Sequence, residues 1–138
     1  MRNFYKAGRS VTYGLKGAVA TSNTQASQAA LSVLKSGGNA MDAAITACAI
    51  QCVVDPMQTG IGGDCFALVA MGGGSQIEGL NGSGKAPMAL TADYLLSNGF
   101  DKMDPTNIHS VTIPGAIDAW TRLHEKYGSM DFADILQP

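Results

Sequence analysis

The chain has 138 residues, of which 46% are hydrophobic and 14% charged, and its net charge is −2. A single domain of that length buries about two-thirds of its surface, and so apolar a composition excludes intrinsic disorder. The charge balance supplies no basic stripe to neutralise phosphates, which excludes nucleic acid as a natural partner.

The opening stretch Met1–Lys6 is polar and lacks the apolar run of a signal peptide, so the chain reads as soluble and cytoplasmic. Gly17–Ser22 predicts a short buried strand leading to a polar turn. From Ala26 the apolar positions Ala29, Ala30, Val33 and Leu34 recur at helical spacing. Asn23 or Thr24 can cap that helix, and Gly37-Gly38 ends it. Asn39 caps a second helix from Ala40 to about Val54, with Asp42 in the first turn where the macrodipole favours an anion. This helix is apolar on nearly every side, which predicts burial all round. Its apolar run is interrupted by Thr46 and Gln51 and falls short of the ~20 residues that span a bilayer. Asp55-Pro56 ends the helix.

A glycine cluster follows, Thr59-Gly60-Ile61-Gly62-Gly63-Asp64. It lies after a helix and before a strand, the reverse of a phosphate or dinucleotide cradle, where glycines lead into a helix N-terminus. Two uses remain open: a tight corner of backbone against backbone, or a substrate-facing loop or anion nest. Cys65–Met71 predicts a strand buried on both faces, Gly72–Gly74 a turn, and Ser75–Leu80 the returning strand of a β-hairpin. Asn81–Pro87 is a small polar loop at the hairpin's exit, and Thr91 caps a short helix ending near Asn98-Gly99. Phe100–Asn107 is irregular, and Ser110–Ile113 predicts another short strand cut by Pro114-Gly115. Ala116, Ile117, Trp120, Leu123 and Tyr127 then line one face of a helix that Gly128 ends, and Asp131 caps a final turn, Phe132–Leu136. Helices with an antiparallel hairpin make a layered α+β architecture.

Few of the reactive side chains form a constellation. Ser83 and Lys85 share a glycine-flanked loop, and a Ser–Lys hydrolytic dyad is one reading; a loop serine beside a solvated lysine is the plainer one. Cys48 and Cys52 lie one helical turn apart, and with Cys65, His109 and His124 they match no zinc-ligand spacing, so they read as small buried hydrophobes. Three cysteines cannot all pair, so they form no disulfide framework. His124 sits in the run Arg122–Lys126, which reads as a solvated helix face, and His109 has no evident partner. Trp120 and Tyr127 read as core rather than a ligand box.

Three blocks, taken together, resemble the gamma-glutamyltranspeptidase family. The first is Gly17–Ser22 with Leu34-Lys35-Ser36-Gly37-Gly38-Asn39-Ala40-Met41-Asp42-Ala43-Ala44; the second is Pro56–Phe66. The third is Leu80–Pro87, followed in order by Val111–Gly115 and Leu123–Gly128. The resemblance implies part of an αββα N-terminal-nucleophile hydrolase sandwich, with residues 1–16 an N-terminal extension and 17–138 the opening portion of the large subunit. It implies a precursor that cuts itself, a small subunit whose new N-terminal threonine is the nucleophile, and acyl transfer from a gamma-glutamyl amide such as glutathione to water or an amino acid. No metal or organic cofactor is implied. By the same resemblance the catalytic threonine lies beyond Pro138, so no catalytic residue is assigned within the chain. The substrate-binding residues it suggests are Asn81, Ser83, Lys85, Gly62, Gly63 and Asp64. Typical members carry an arginine in the third block that grips the substrate's α-carboxylate; aligning on Ala86-Pro87 puts Ser83 there, and Lys85 is the candidate to replace the charge. The competing readings are a non-catalytic truncated product that acts only by association, and a self-contained Ser83/Lys85 amidase.

Overall fold

A computed structural model describes residues 11–138. Met1–Lys6 and most of the expected N-terminal extension lie outside the described residues. The elements in chain order are α1 (Thr24–Lys35), α2 (Ala40–Val54), β1 (Cys65–Val69), β2 (Glu78–Gly82), α3 (Ala92–Ser97), α4 (Ala116–Tyr127) and α5 (Phe132–Ile135). Single 3-10 turns occupy Met71–Gly73 and Ile108–Ser110.

The two long helices begin and end on side-chain and glycine chemistry. The Asn23 side chain accepts from the Gln25 N–H at the head of α1. At its tail Gly37 takes φ +98°, and the N–H groups of Gly38 and Gly37 return to the carbonyls of Val33 and Leu34, a Schellman closure. One residue later Asn39 opens α2 with a capping box: Asn39 Oδ1 accepts from the N–H groups of Met41 and Asp42, while Asp42 Oδ2 accepts from Asn39 N–H at 2.8 Å. Ala26, Ala30 and Val33 of α1 meet the buried face of α2, and Trp120 and Leu123 of α4 with Ile135 of α5 complete the core. The small side chains allow the helices to approach closely.

Asp42 and Thr46, both fully buried on α2, fasten the chain's last turn to this core. Asp42 accepts from Ser129 N–H at 3.1 Å and from Ser129 Oγ–H at 2.6 Å, and Asn39 Nδ2 donates to the Tyr127 carbonyl at 2.6 Å. Thr46 Oγ1 lies 2.7 Å from the Ile135 carbonyl oxygen and 3.0 Å from that of Asp42. Burial pushes the Asp42 carboxyl up, but the Ser129 side chain and the N–H groups of Asn39, Ser129 and Met130 outweigh it, so its pKa lies below the ordinary 3.8.

The sheet is a two-stranded antiparallel hairpin, with Cys65 opposite Gly82, Ala67 opposite Leu80 and Val69 opposite Glu78. Cys65, Ala67, Val69 and Leu80 pack on the helices. Phe66 and Leu68 point the other way and are 67% and 82% exposed. The expectation of a strand buried on both faces is therefore corrected: only one face is covered among the described residues. The return strand also starts later than the sequence predicts, because the Met71–Gly73 turn, with positive φ at Gly72 and Gly73, lengthens the connection. Asn81 and Gly82 consequently belong to β2 rather than to the loop beyond it.

Four further expectations change. Gly17–Ser22 joins no ladder among the described residues, and only Val19 and Thr21 within it are even partly buried. Helix α2 is buried through its first half only; Ala44 is exposed and Val53 is 78% exposed. Ser110–Ile113 forms no strand: Asn107 Oδ1 accepts from His109 N–H and turns the chain into a 3-10 turn, after which the Ile113 N–H makes a single bond to the Lys85 carbonyl. Ile117 faces outward from α4, 45% exposed. The remaining caps fall where the sequence puts them, Thr91 on α3 and Asp131 on α5.

Candidate functional site

The two glycine loops meet at the start of α4. That helix has no side-chain cap; the Gly63 carbonyl accepts from the N–H groups of Gly115 and Ala116, both at 3.0 Å, and satisfies its first donors. On the other side β2 and its exit loop press against the same corner. A Cβ at Gly84 would lie 1.4 Å from the Ile113 carbonyl oxygen, and one at Gly115 would lie 2.2 Å from that of Gly82. A Cβ at Gly82 would come within 2.5 Å of the Ala119 Cβ on α4. These glycines are required by backbone meeting backbone. The register carries Asp64 and Ser83 to the same end of the hairpin, one residue beyond the Cys65–Gly82 pair. Asp64 Oδ1 accepts from Thr112 Oγ1 at 3.3 Å, which ties the first loop to the segment ahead of α4.

Against this corner opens a cleft of about 460 Å³ whose polar lining is Asn81, Ser83, Lys85, Asp118 and Arg122. Asn81 Oδ1 accepts from Ser83 N–H at 2.9 Å and shapes the turn into the loop. Of the residues expected to bind substrate, Asn81, Ser83 and Lys85 line the cleft. Gly63 and Asp64 do not; they brace its wall from behind. Gly62 is apart from both roles: a Cβ there would meet nothing within 4 Å, and the same holds for Gly60. The tight-corner reading thus belongs to Gly82, Gly84 and Gly115, while Gly60 and Gly62 border open space among the described residues. The Gly63 N–H is engaged by the Gly60 carbonyl at 3.1 Å.

Asp118 and Arg122 were not legible as site residues. The run around Arg122 reads as solvated, and only the pinch of Gly115 against Gly82 shows which way this face of α4 turns. Arg122 Nε and Asp118 Oδ2 form an i, i+4 ion pair along the helix, 2.8 Å apart. No hydrogen bond joins Ser83 to Lys85 among the described residues, so the dyad geometry is not formed. A larger groove of about 840 Å³ runs between Lys16–Ser22 and the alanine face of α2; its polar side chains are Lys16, Thr21, Ser22, Asn39 and Gln51, of which Lys16 alone is charged.

The other reactive groups serve the scaffold. His124 Nε2 lies 2.8 Å from the Met130 carbonyl oxygen with its ring edge-on to Phe132, and His109 is held edge-on between Tyr94 and Phe100. Burial pushes the thiols of Cys48, Cys52 and Cys65 up, away from the reactive thiolate. Among the described residues no three His, Cys, Asp or Glu side chains are arranged to hold a metal ion, and no helix is long and apolar enough to cross a membrane.

The profile of the gamma-glutamyltranspeptidase family matches residues 26–138. The chain belongs to the gamma-glutamyltranspeptidase family. It is 36% identical over 126 residues to the Glutathione hydrolase-like YwrD proenzyme of Bacillus subtilis, covering 91% of this chain and 24% of that protein. The Acylase ACY 1 proenzyme of Pseudomonas sp. (strain V22) is 30% identical, again over 91% of this chain and 24% of that protein. In structure the chain resembles cephalosporin acylase from Bacillus halodurans, with TM-score 0.87 and 43% identity over 99% of this chain and 25% of the other. It also resembles Helicobacter pylori gamma-glutamyltranspeptidase, with TM-score 0.82 and 26% identity over 94% and 38%. The chain spans about a quarter of the length of the curated relatives it matches. Its α+β layering is thus a piece of the gamma-glutamyltranspeptidase sandwich, an N-terminal-nucleophile hydrolase fold.

Within that family frame the first and third sequence blocks have distinct physical work. The Gly37–Asp42 block caps α2 and fastens the Ser129 loop between α4 and α5. The Gly82–Gly84 and Pro114-Gly115 pieces make the pinch.

Proposed function

We propose that this chain builds one wall of the acyl-donor pocket in an amidohydrolase or acyltransferase that acts on gamma-glutamyl or closely related acyl amides, glutathione among them. The chain is the opening part of the large subunit, and the attacking threonine belongs to the small subunit released when the precursor cuts itself. Acyl transfer through such a threonine uses its own α-amine as base and needs no metal. The observation that carries this reading is the cleft itself: Asn81, Ser83 and Lys85 converge on a cavity whose wall is fixed by the Gly82–Gly84–Gly115 contact. A fixed backbone corner of this kind holds an amide substrate in one orientation, which is the protein's contribution to acyl transfer.

Two measurements test it. The intact mass of the full-length product reports self-cleavage as two chains, the smaller of which begins with the threonine. Hydrolysis of gamma-glutamyl p-nitroanilide reports the acyl chemistry, and Lys85→Ala raises KM for that substrate by about 5- to 50-fold if its ammonium contacts the donor's carboxylate. An unchanged KM removes Lys85 from the pocket, and an uncleaved, inactive full-length protein removes the enzyme reading altogether.

A further inference from the structure

We propose that Arg122 is the carboxylate-reading residue of the cleft, with Asp118 as its positioning residue, so that the preferred acyl group ends in a carboxylate. This rests on the proposed acyl-donor pocket and adds the residue that selects its contents. Three charged side chains line the cleft, the cations Lys85 and Arg122 and the anion Asp118, which leaves one positive charge in excess. The Asp118–Arg122 pair lies at the rim, with side chains 64% and 67% exposed. An exposed pair of that kind contributes little to stability. Its consequence is geometric. Asp118 Oδ2 sits 2.8 Å from Nε as an ion pair, and the two terminal nitrogens make no hydrogen bond among the described residues. Those two nitrogens form the fork that holds a carboxylate in two parallel bonds.

The placement is rigid where it has to be. Both side chains stand on the first two turns of α4, and the start of α4 is fixed by the Gly63 carbonyl and by the contact of Gly82 with Ala119. Lys85 is exposed, on the loop, and offers a point charge without a fork. Ser83 offers no charge at all. Arg122 is therefore the group in the cleft able to hold a terminal carboxylate in two parallel bonds, which Lys85, as a point charge, cannot do.

The test uses the full-length protein and two donors of equal chain length, glutaryl p-nitroanilide and valeryl p-nitroanilide. Arg122→Gln is expected to lower the glutaryl-over-valeryl ratio of kcat/KM by about 10- to 100-fold, expressed in KM, the loss of one charge-assisted fork. Arg122→Lys restores part of the preference, since it keeps the charge and loses the fork, and Asp118→Asn lowers the ratio by a smaller factor. Binding of glutarate, measured by calorimetry on the same full-length variants, supplies a readout that needs no turnover and weakens by the same factor in Arg122→Gln. If the anilides are cleaved and Arg122→Gln leaves the ratio in place, this inference is overturned and the proposed chemistry stands. If nothing is cleaved but glutarate binds through Arg122, the chemistry falls and the inference stands. If neither cleavage nor glutarate binding occurs, both are overturned.

Discussion

Asp42→Ala removes one carboxylate and strands three donors. The Asn39 N–H loses the return half of its capping box, and Ser129 loses acceptors for both its N–H and its hydroxyl. Losing the cap reciprocity costs about 1 kcal/mol. Each Ser129 bond to the ionised carboxylate contributes about 1.5–3 kcal/mol in a shielded site. Partial access of water to the released groups discounts the sum to about 3–5 kcal/mol, a large share of the roughly 5–15 kcal/mol that holds a domain folded. Trp120 is the sole tryptophan and is buried on α4, so its fluorescence follows urea unfolding of the 138-residue chain directly. With a slope of about 2 kcal/mol per molar urea, Asp42→Ala lowers the midpoint by about 1.5–2.5 M. Asp42→Asn keeps one acceptor but turns an amide N–H₂ toward donors, and falls between. A midpoint that moves by less than about 0.5 M for Asp42→Ala refutes the claim that this side chain ties the Ser129 loop ahead of α5 to α2.

The same residue fixes a pH dependence. The folded pKa of Asp42 is depressed below the ordinary 3.8, so its stabilising contribution is complete above the unfolded value. It is lost as pH falls through the lower folded value. The stability gap between the natural chain and Asp42→Asn is therefore flat from pH 7 to pH 5, and narrows only below about pH 4. A gap that already closes near pH 6 contradicts the assignment.

The glycines divide into two predicted classes. Gly84→Ala puts a methyl into the Ile113 carbonyl and pries apart the bond from Ile113 N–H to Lys85, so it lowers stability by about 3 kcal/mol or more, read by the same urea titration. Gly62→Ala meets nothing within 4 Å and shifts stability by under about 0.5 kcal/mol; if it nevertheless raises KM of the full-length enzyme, the loop faces substrate. Leu68→Lys, on the uncovered strand face, reduces self-association of the isolated 138-residue chain in light scattering, since Phe66 and Leu68 present apolar surface beside an unpaired strand edge. Undiminished association would place the sticky surface elsewhere.

What the sequence made legible was mostly local. Asn39 with Asp42, Asn23, Thr91 and Asp131 each announce a helix start because a short polar side chain there satisfies backbone donors within its own turn. The spacing of Ala116, Trp120 and Leu123 announces a buried helical face for the same local reason. What depends on the partner across the chain was not legible. Alternation along Cys65–Val69 is absent because apolar residues occupy both faces, so the sequence carries no sign of which face the helices cover. Ser110–Ile113 has the composition of a strand but, among the described residues, forms no ladder beyond the one bond from Ile113 N–H to the Lys85 carbonyl. In the cleft, Asn81, Ser83 and Lys85 were found through the third block. Asp118 and Arg122 were not, because an i, i+4 pair on an exposed helix looks the same whether it faces water or a cleft.

This separation gives the family blocks a physical grammar. Close backbone contact explains Gly82, Gly84 and Gly115, and left-handed geometry explains Gly37; none of them needs a substrate to account for it. Gly60 and Gly62 have neither explanation: their φ is not positive, and a side chain would find space. Nothing in the described fold requires glycine at either position. A covering strand and a bound acyl group make different demands there. A strand needs Gly60 and Gly62 small whether or not substrate is present, so Gly62→Ala would then weaken the assembled enzyme. A bound acyl group needs the space only during turnover, so the same substitution would raise KM and leave the melting temperature of the full-length protein in place.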